Sequence, residues 1–384
     1  MQARSASRDN RLDFFRGCAV LLVVCMHAAA LTPGFDATGP AAALFAKGQV
    51  GVQLFFVLSG ALIWRSWERL RDAPHPLLQF YVKRAAKIVP LYWLFLLVNM
   101  GLWALFDELA HNPHPFSNFD DPENLTVSNS VLHLLFLQEL TPHNLNTLVD
   151  GSWSIVCEVY FYALFPLLRR VCTDARSALL GFAASMLVSM ASAVLVAHSP
   201  LKESGFVYYN FLVQLPAFML GIVVGIELNA SPVRPLGSRG PALAAVALVV
   251  MAGMTRGNVS PLGQHLLYSM AMAFVILGAW DVLRAYGGSW LYRGVALCGR
   301  QSYAIFFAHL AVLKVLGYCE QFAGPGRSVP ELLCLNLVFG TAASIALSSW
   351  IFHPIDSYFV RLGASRLRSL SANRSTVTSG IEQW

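Results

Sequence analysis

An arginine and a histidine interrupt an apolar segment near the start of the chain, which reads RLDFFRGCAVLLVVCMHAAAL from Arg11 to Leu31. Ten residues separate Arg16 from His27, and the eleven steps between them make three turns of an α-helix plus about 20°, so both side chains share one face about 16 Å apart. A neutral histidine can take a proton from a hydroxyl group near neutral pH. The spacing therefore predicts general-base chemistry at His27. The structural alternatives are Arg16 reaching towards lipid headgroups and His27 as a hydrogen-bonded packing residue.

Further ionisable residues recur in or beside other apolar runs. Glu158 lies a few residues into the run that begins at Gly151, where a carboxylate needs a partner, and His27 and Arg16 are candidates. Arg84 and Lys87 are three residues apart on one helical face, where like charges repel unless an anion lies between them. A polyphosphate would satisfy this pair, and simple anchoring at a membrane surface is the alternative.

The elements that carry these residues are predicted to be membrane helices. The chain has 384 residues, of which 56% are hydrophobic and only 12% charged, and its mean hydropathy is +0.55. This charge content is about half that of a soluble domain, and apolar runs recur along the whole length. We therefore predict an all-α, polytopic integral membrane helix bundle of about ten transmembrane helices. The predicted spans are Phe14–Leu31, Gly48–Trp64, Ile88–Phe106, Trp153–Leu168, Ser177–Ala197, Phe206–Ile226, Pro241–Thr255, Leu262–Trp280, Ser302–Tyr318 and Leu332–Phe352.

The distribution of positive charge predicts the orientation of the bundle. When the N-terminus is placed in the cytoplasm, only five of the 27 Lys and Arg residues fall outside, so both termini are predicted to be cytoplasmic. The segment 107–152 carries seven acids and no Lys or Arg, which places it outside, and Val131–Leu140 within it is too short to span. As an alternative, the first apolar run and Ala28–Ala30 also fit a cleavable signal peptide, which would remove His27. The seven cysteines are scattered through apolar runs, so neither a disulfide framework nor a metal site is predicted.

Six stretches in order resemble the membrane-bound acyltransferase 3 family, whose members O-acylate bacterial surface sugars and related acceptors. They are LDFFRGCAVLLVVCMHA, GVQLFFVLSGALI, RAAKIVPLYW, WSIVCEVYFYALFPLL, GRQSYAIFFAH and WIFHPI. The resemblance implies an acyltransferase domain, predicted over residues 1–360, and the polar composition of residues 361–384 predicts a cytoplasmic tail. Lys87 stands where the family usually has Arg, Gln53 where it has an acid, and His353 where it has Glu.

The resemblance also implies roles for the residues at these positions. His27 would be the essential base, with Arg16 beside it and Glu158 in the same catalytic cavity. Arg84 and Lys87 would meet the phosphates of acyl-CoA, most simply acetyl-CoA, a co-substrate in a protein with no permanently bound cofactor. Ser59, Ser302 and His309 are candidate contacts to the oxyanion or the acceptor. His309 on its own would otherwise be a packing residue.

The predicted function is transfer of an acyl group to a hydroxyl of a surface or lipid-linked carbohydrate, such as exopolysaccharide or O-antigen. A covalent acyl-enzyme formed through His27, Ser59 or a cysteine is the alternative mechanism. A proton-coupled transporter that uses Arg16, His27 and Glu158 as a relay is the alternative function. The expected location is the bacterial inner membrane, with the lipid bilayer and a carbohydrate as partners, no nucleic acid, and a homo-oligomer left open.

Overall fold

The structure is a computed structural model that describes residues 10–36, 38–110, 125–201, 205–230, 239–253, 261–322 and 326–381. In these ranges the regular secondary structure is helical, without strands. The α-helices are α1 Asn10–Ala30, α2 Pro40–Phe45, α3 Val50–Glu68, α4 Pro76–Ala110, α5 Val127–Leu134, α6 Ser152–Val171, α7 Ala175–Ala197, α8 Phe206–Tyr209, α9 Phe211–Ala230, α10 Gly240–Gly253, α11 Pro261–Tyr286, α12 Trp290–Arg300, α13 Ser302–Phe322, α14 Val329–Leu335, α15 Thr341–Leu347 and α16 His353–Ile381. The all-helical prediction is confirmed for the described residues.

Eight helical segments of the described residues are long and apolar enough to cross a bilayer. They are Asn10–Ala30, Pro40–Glu68, Pro76–Leu102, Ala175–Ala197, Phe206–Ala230, Gly263–Tyr286, Ser302–Glu320 and Val329–Arg368. Each coincides with one of the ten predicted spans. The other two predicted spans correspond to α6, of 20 residues, and α10, of 14. The predicted end of the latter, Thr255, lies outside the described residues.

Glycines let the helices that carry the site approach each other closely. A Cβ atom built on Gly17 of α1 would lie 1.9 Å from the carbonyl oxygen of Val295 in α12, and one on Gly299 of α12 would lie 1.6 Å from that of Asp13. Gly60 of α3 lies equally close to the backbone of α9. Small residues at such crossings permit the close packing by which helices associate in lipid. These contacts fix α12 beside the first two turns of α1, where Arg16 is located.

Helix α7 has the polarity expected of a helix that faces lipid. Its small polar residues Ser185, Ser189 and Ser192 are buried, and the Ser189 hydroxyl donates to the Val213 carbonyl of α9 at 2.9 Å. Large apolar side chains, among them Leu187 and Leu195, are exposed on the other side. This is the reverse of a soluble amphipathic helix, and it supports a lipid environment for the bundle.

Helix α16 packs along α4 at the predicted cytoplasmic end of the bundle. A Cβ atom on Gly363 would lie 3.0 Å from the Cβ of Ala86, and Lys87 of α4 forms an ion pair with Asp356 of α16 at 2.5 Å. The tail predicted from residue 361 begins inside α16, which continues as one helix to Ile381. The first two turns beyond the predicted domain boundary are therefore helical, with Gly363 against α4 and Ala364 in the lining of a cavity.

The predicted outer segment is anchored to the bundle by a buried polar network. His133 of α5 donates from Nε2 to the Asn144 carbonyl at 3.0 Å, so its Nδ1 accepts the hydroxyl proton of Tyr92 in α4 at 3.0 Å. Gln138 in turn donates to the Tyr92 hydroxyl at 2.9 Å. The prediction that Val131–Leu140 does not span agrees with this packing and with the short helices Val127–Leu134 and Gln138–Leu140. Residues 111–124 of the acidic segment lie outside the described residues.

Candidate functional site

A cavity of about 370 Å³ opens among α1, α3, α4, α6, α13 and α16. Pockets that hold small molecules have volumes of roughly 300–1,000 Å³. Its lining contains the basic side chains of Arg16, Lys83, Arg84 and Lys87 and the acidic side chain of Glu158. Every charged residue that was predicted for the site therefore lines the cavity, and so do the predicted residues Ser59 and Ser302. Lys83 was not among the predicted residues, although its position next to Arg84 could have indicated it.

Glu158 is held in the cavity by three hydroxyl groups from three helices. Its Oε1 accepts from Ser59 of α3 at 2.7 Å and from Tyr162, one turn along α6, while its Oε2 accepts from Tyr303 of α13 at 2.8 Å. Hydrogen bonds to a charged acceptor are worth about 1.5–3 kcal/mol each. The carboxylate is therefore held by hydroxyl donors rather than by the partners considered from sequence, His27 and Arg16.

The two tyrosines are functional-site residues that the sequence reasoning missed. Neither Tyr162 nor Tyr303 was among the predicted site residues. The spacing of Tyr162 from Glu158, four residues on one helix, could have indicated the first contact. Tyr303 lies 145 residues further along the chain, so only the packing of α6 against α13 reveals the second.

Two of the cavity cations already have partners in the described structure. The Arg84 guanidinium donates to the Ser66 hydroxyl at 2.8 Å and lies 5.7 Å from the ring of Tyr162. Lys87 contacts Asp356, whose side chain is buried. Both therefore remain fixed at the cavity wall, with positive charge directed towards its α4 and α16 side.

Arg16 differs from these cations because it makes no hydrogen bond with the described residues, although it lines the cavity. A guanidinium carries five N–H donors in a rigid fork. The Ser302 hydroxyl is likewise buried without a hydrogen-bond partner among the described residues. Arg16 and Ser302 thus retain hydrogen-bond donors that an anionic group in the cavity could use.

His27 of α1 forms a pair with His309 of α13. The His27 Nδ1 lies 3.0 Å from the His309 Nε2, and the two ring centroids are 5.1 Å apart. His309 is fully buried, and its Nδ1 lies 3.1 Å from the Ile305 carbonyl oxygen. Neither histidine lines the cavity, but Phe306 does, and its ring lies 5.7 Å from that of His309. Arg16 and His27 thus share a helix, but His27 does not line the cavity that contains Arg16.

Gln53, which stands at a position where the family usually has an acid, belongs to a separate polar cluster. Its amide donates to Gln214 of α9 at 3.0 Å and accepts from Ser269 of α11 at 2.8 Å. All three side chains are buried. In this chain the position connects three helices through neutral groups.

Comparison with known proteins agrees with this arrangement. The family described as the acyltransferase domain matches residues 9–353. The acyltransferase MdmB of Streptomyces mycarofaciens is 26% identical over 325 residues, covering 76% of this chain and 78% of that protein. The putative membrane-bound transacylase BcsY of Komagataeibacter xylinus is 24% identical over 344 residues, covering 86% and 80%. The exopolysaccharide production protein ExoZ of Rhizobium meliloti is 32% identical over 126 residues, covering 32% and 34%.

No solved structure matches the chain. The family match extends over most of the sequence and includes every residue assigned to the cavity except Val360 and Ala364. Together with eight helices that can cross a membrane, it establishes that the chain belongs to the acyltransferase 3 family and is a membrane acyltransferase.

Proposed function

We propose that this protein transfers an acyl group, acetyl in the first instance, from acyl-CoA on the cytoplasmic side to a hydroxyl of a surface or lipid-linked carbohydrate. The observation that carries the proposal is the cavity, which is lined by Arg16, Lys83, Arg84 and Lys87 and extends along apolar walls towards the histidine pair. Positive charge next to an apolar channel suits a donor that joins phosphates to a slender acyl-bearing arm.

The phosphates of the donor would bind to the cations of α4. Arg84 can contact a phosphate through two parallel N–H bonds, whereas Lys87 contributes a point charge. Because Lys87 already forms an ion pair with Asp356, phosphate binding there replaces or shares that contact. The pantetheine arm would then follow the wall formed by Phe55, Leu62 and Phe306, which brings the thioester towards His27.

In the proposed reaction His27 acts as the general base. The acceptor oxygen attacks the thioester carbonyl carbon while its proton passes to the Nε2 of His27. The tetrahedral intermediate then breaks the C–S bond, and the departing CoA thiolate takes that proton and leaves as the thiol. Among the groups that could donate to the oxyanion, Ser59 already uses its hydroxyl proton on Glu158, so Arg16 and Ser302 are the better candidates.

The acceptor is proposed from the relatives and from the distribution of charge. One relative is named for exopolysaccharide production, and a sugar hydroxyl is a suitable nucleophile for O-acylation. In the proposed orientation the segment 107–152, which carries seven acids and no Lys or Arg, would face the side where such acceptors arrive. If the acyl group is transferred inside the helix bundle, the charged acyl-CoA donor does not have to cross the bilayer.

A proton-coupled transporter is the second candidate function, and the structure gives it less support. A relay through Arg16, His27 and Glu158 requires hydrogen bonds that connect them. In the described part of the chain, Glu158 bonds to hydroxyl groups and His27 to His309. Membership of an acyltransferase family also favours group transfer.

The test is acyl transfer by purified protein in proteoliposomes supplied with [14C]acetyl-CoA and a bacterial exopolysaccharide. Labelled polysaccharide is expected, with a loss of about 10²–10⁴-fold in His27→Ala. His198→Ala is the matched control, since His198 is exposed and bonds only to its own helix. Labelled protein without acceptor would indicate an acyl-enzyme, and uptake of label without covalent transfer would indicate a transporter. Full activity of His27→Ala would refute the proposed base.

A further inference from the structure

We infer that His309 is a positioning residue that holds His27 in the tautomer with its lone pair on Nε2. The inference rests on the proposed role of His27 as the general base. It assigns His309 a contact to His27 instead of a contact to the oxyanion or the acceptor.

The tautomer follows from the direction of two hydrogen bonds. The Ile305 carbonyl oxygen can only accept, so the His309 Nδ1, 3.1 Å away, must carry the proton. A neutral His309 then has its lone pair on Nε2, and this atom faces the His27 Nδ1 at 3.0 Å. The His27 Nδ1 must therefore donate. In neutral His27 this leaves Nε2 without a proton, which is the state that a general base requires.

The surroundings of His309 suit a fixed acceptor. The side chain is fully buried, and both of its ring nitrogens are engaged, one with its own helix and one with His27. The Phe306 ring packs beside it at a centroid distance of 5.7 Å. A ring constrained in this way cannot turn to contact a substrate, but it can restrict rotation of the His27 ring.

The same contact favours the protonated state that forms during the reaction. When the His27 Nε2 takes the acceptor proton, the ring becomes an imidazolium and its Nδ1–H bond to His309 becomes charge-assisted. Such bonds are roughly twice as strong as neutral ones. His309 therefore stabilises His27 more in the charged state than in the resting state, which contributes to rate and not to donor binding.

The experiment compares His309→Ala and His309→Gln with the wild type in the proteoliposome assay. We expect His309→Ala to lower kcat about 10²-fold, within the usual contribution of an oriented general base, with the KM for acetyl-CoA unchanged. In His309→Gln the amide oxygen can accept from the His27 Nδ1, so kcat should recover to within about tenfold of the wild type. His198→Ala serves as the control. Full activity of His309→Ala would overturn the inference.

A second measurement reads the tautomer directly. In protein labelled with 15N-histidine, NMR should show the resonances of an Nδ1–H ring that disappear in His27→Ala. An Nε2–H ring at His27 in the wild type would overturn the inference even if His309→Ala failed to fold. Full activity of His27→Ala would refute the proposed function itself. An inactive His27→Ala combined with a fully active His309→Ala would refute only the role of His309.

Discussion

Glu139 should add a pH-dependent contribution to the stability of the protein, and Glu139→Gln should remove that contribution. The residue lies in the short helical turn Gln138–Leu140 of the outer segment. Its Oε1 accepts the Phe211 amide at the start of α9 at 2.8 Å, and its Oε2 is buried without a hydrogen-bond partner among the described residues. Burial raises the pKa of Glu139 from its usual value near 4.5 to about 7. The hydrogen bond from the Phe211 backbone N–H lowers the pKa of Glu139, but it offsets only part of the rise that burial causes.

The sign and size of the effect follow from this difference in pKa. Between pH 4.5 and 7 the folded protein binds a proton at Glu139 that the unfolded chain has released, so stability falls as pH rises. At 1.36 kcal/mol per pH unit the loss is about 3 kcal/mol above pH 7. This is an upper limit because the side chain is only partly buried. Glu139→Gln resembles the protonated acid, so its stability relative to the wild type should rise over the same interval.

A nearby histidine makes the comparison between variant and wild type essential. Burial lowers the pKa of His133 to about 4, so below pH 6.5 the unfolded chain binds a proton there that the folded protein does not. Its contribution to stability therefore rises with pH between 4 and 6.5, opposite to that of Glu139. The two effects nearly cancel in the wild type, and only the difference between the wild type and the variant isolates Glu139.

The assay is SDS-induced unfolding in detergent micelles, followed by circular dichroism between pH 4.5 and 8. The free energy of unfolding of Glu139→Gln relative to the wild type should rise from near zero at pH 4.5 to as much as about 3 kcal/mol above pH 7. Asp72→Asn is the matched control, because this carboxylate is exposed in a loop, and its difference from the wild type should not change over this range. A flat difference for Glu139→Gln would refute the reasoning.

Three further predictions concern the site and the bundle. Lys87→Met should raise the KM for acetyl-CoA about tenfold and destabilise the protein by leaving Asp356 buried without its cation, whereas Lys87→Met combined with Asp356→Asn should restore stability but not KM. Tyr303→Phe should lower the free energy of unfolding by about 1.5–3 kcal/mol in SDS titration, because the cavity carboxylate loses a donor. Gly60→Val should abolish folded protein in size-exclusion chromatography, since its Cβ would lie 2.2 Å from a carbonyl oxygen of α9. Gly101→Ala, with no atom within 4 Å, should fold normally.

The sequence was sufficient to predict most of the fold. Apolar runs of bilayer length located the eight helical segments that are long and apolar enough to span, because hydropathy acts locally and each helix satisfies its own backbone hydrogen bonds. Helices α6 and α10 fell short of the same criterion because α6 is interrupted by Glu158 and ends in arginines, while α10 is short. The helical continuation past residue 361 was not predicted, since its polar composition obscured the packing of Gly363 on α4.

The candidate site was predictable residue by residue, but not as a set of contacts. Arg16, His27 and Glu158 could be identified as candidate site residues because placing an ionisable group in an apolar membrane segment costs free energy. Their partners could not be derived, because His27 and His309 are 282 residues apart and meet only through the packing of α1 on α13. Side-chain partners in a bundle depend on helix rotation and crossing, which a single sequence does not determine.

The partners of the ionisable groups show where the site can accept an anion. The Glu158 carboxylate is held by hydroxyl groups, Lys87 by Asp356, and Arg84 by Ser66 and two aromatic rings. Each of these side chains already uses part of its charge or hydrogen-bonding capacity on a protein partner, so less of it remains for a substrate. Arg16 lines the same cavity without a hydrogen bond to the described residues, and a guanidinium retains its charge at any accessible pH. Negative charge that develops on a substrate in this cavity would therefore be stabilised most readily at Arg16.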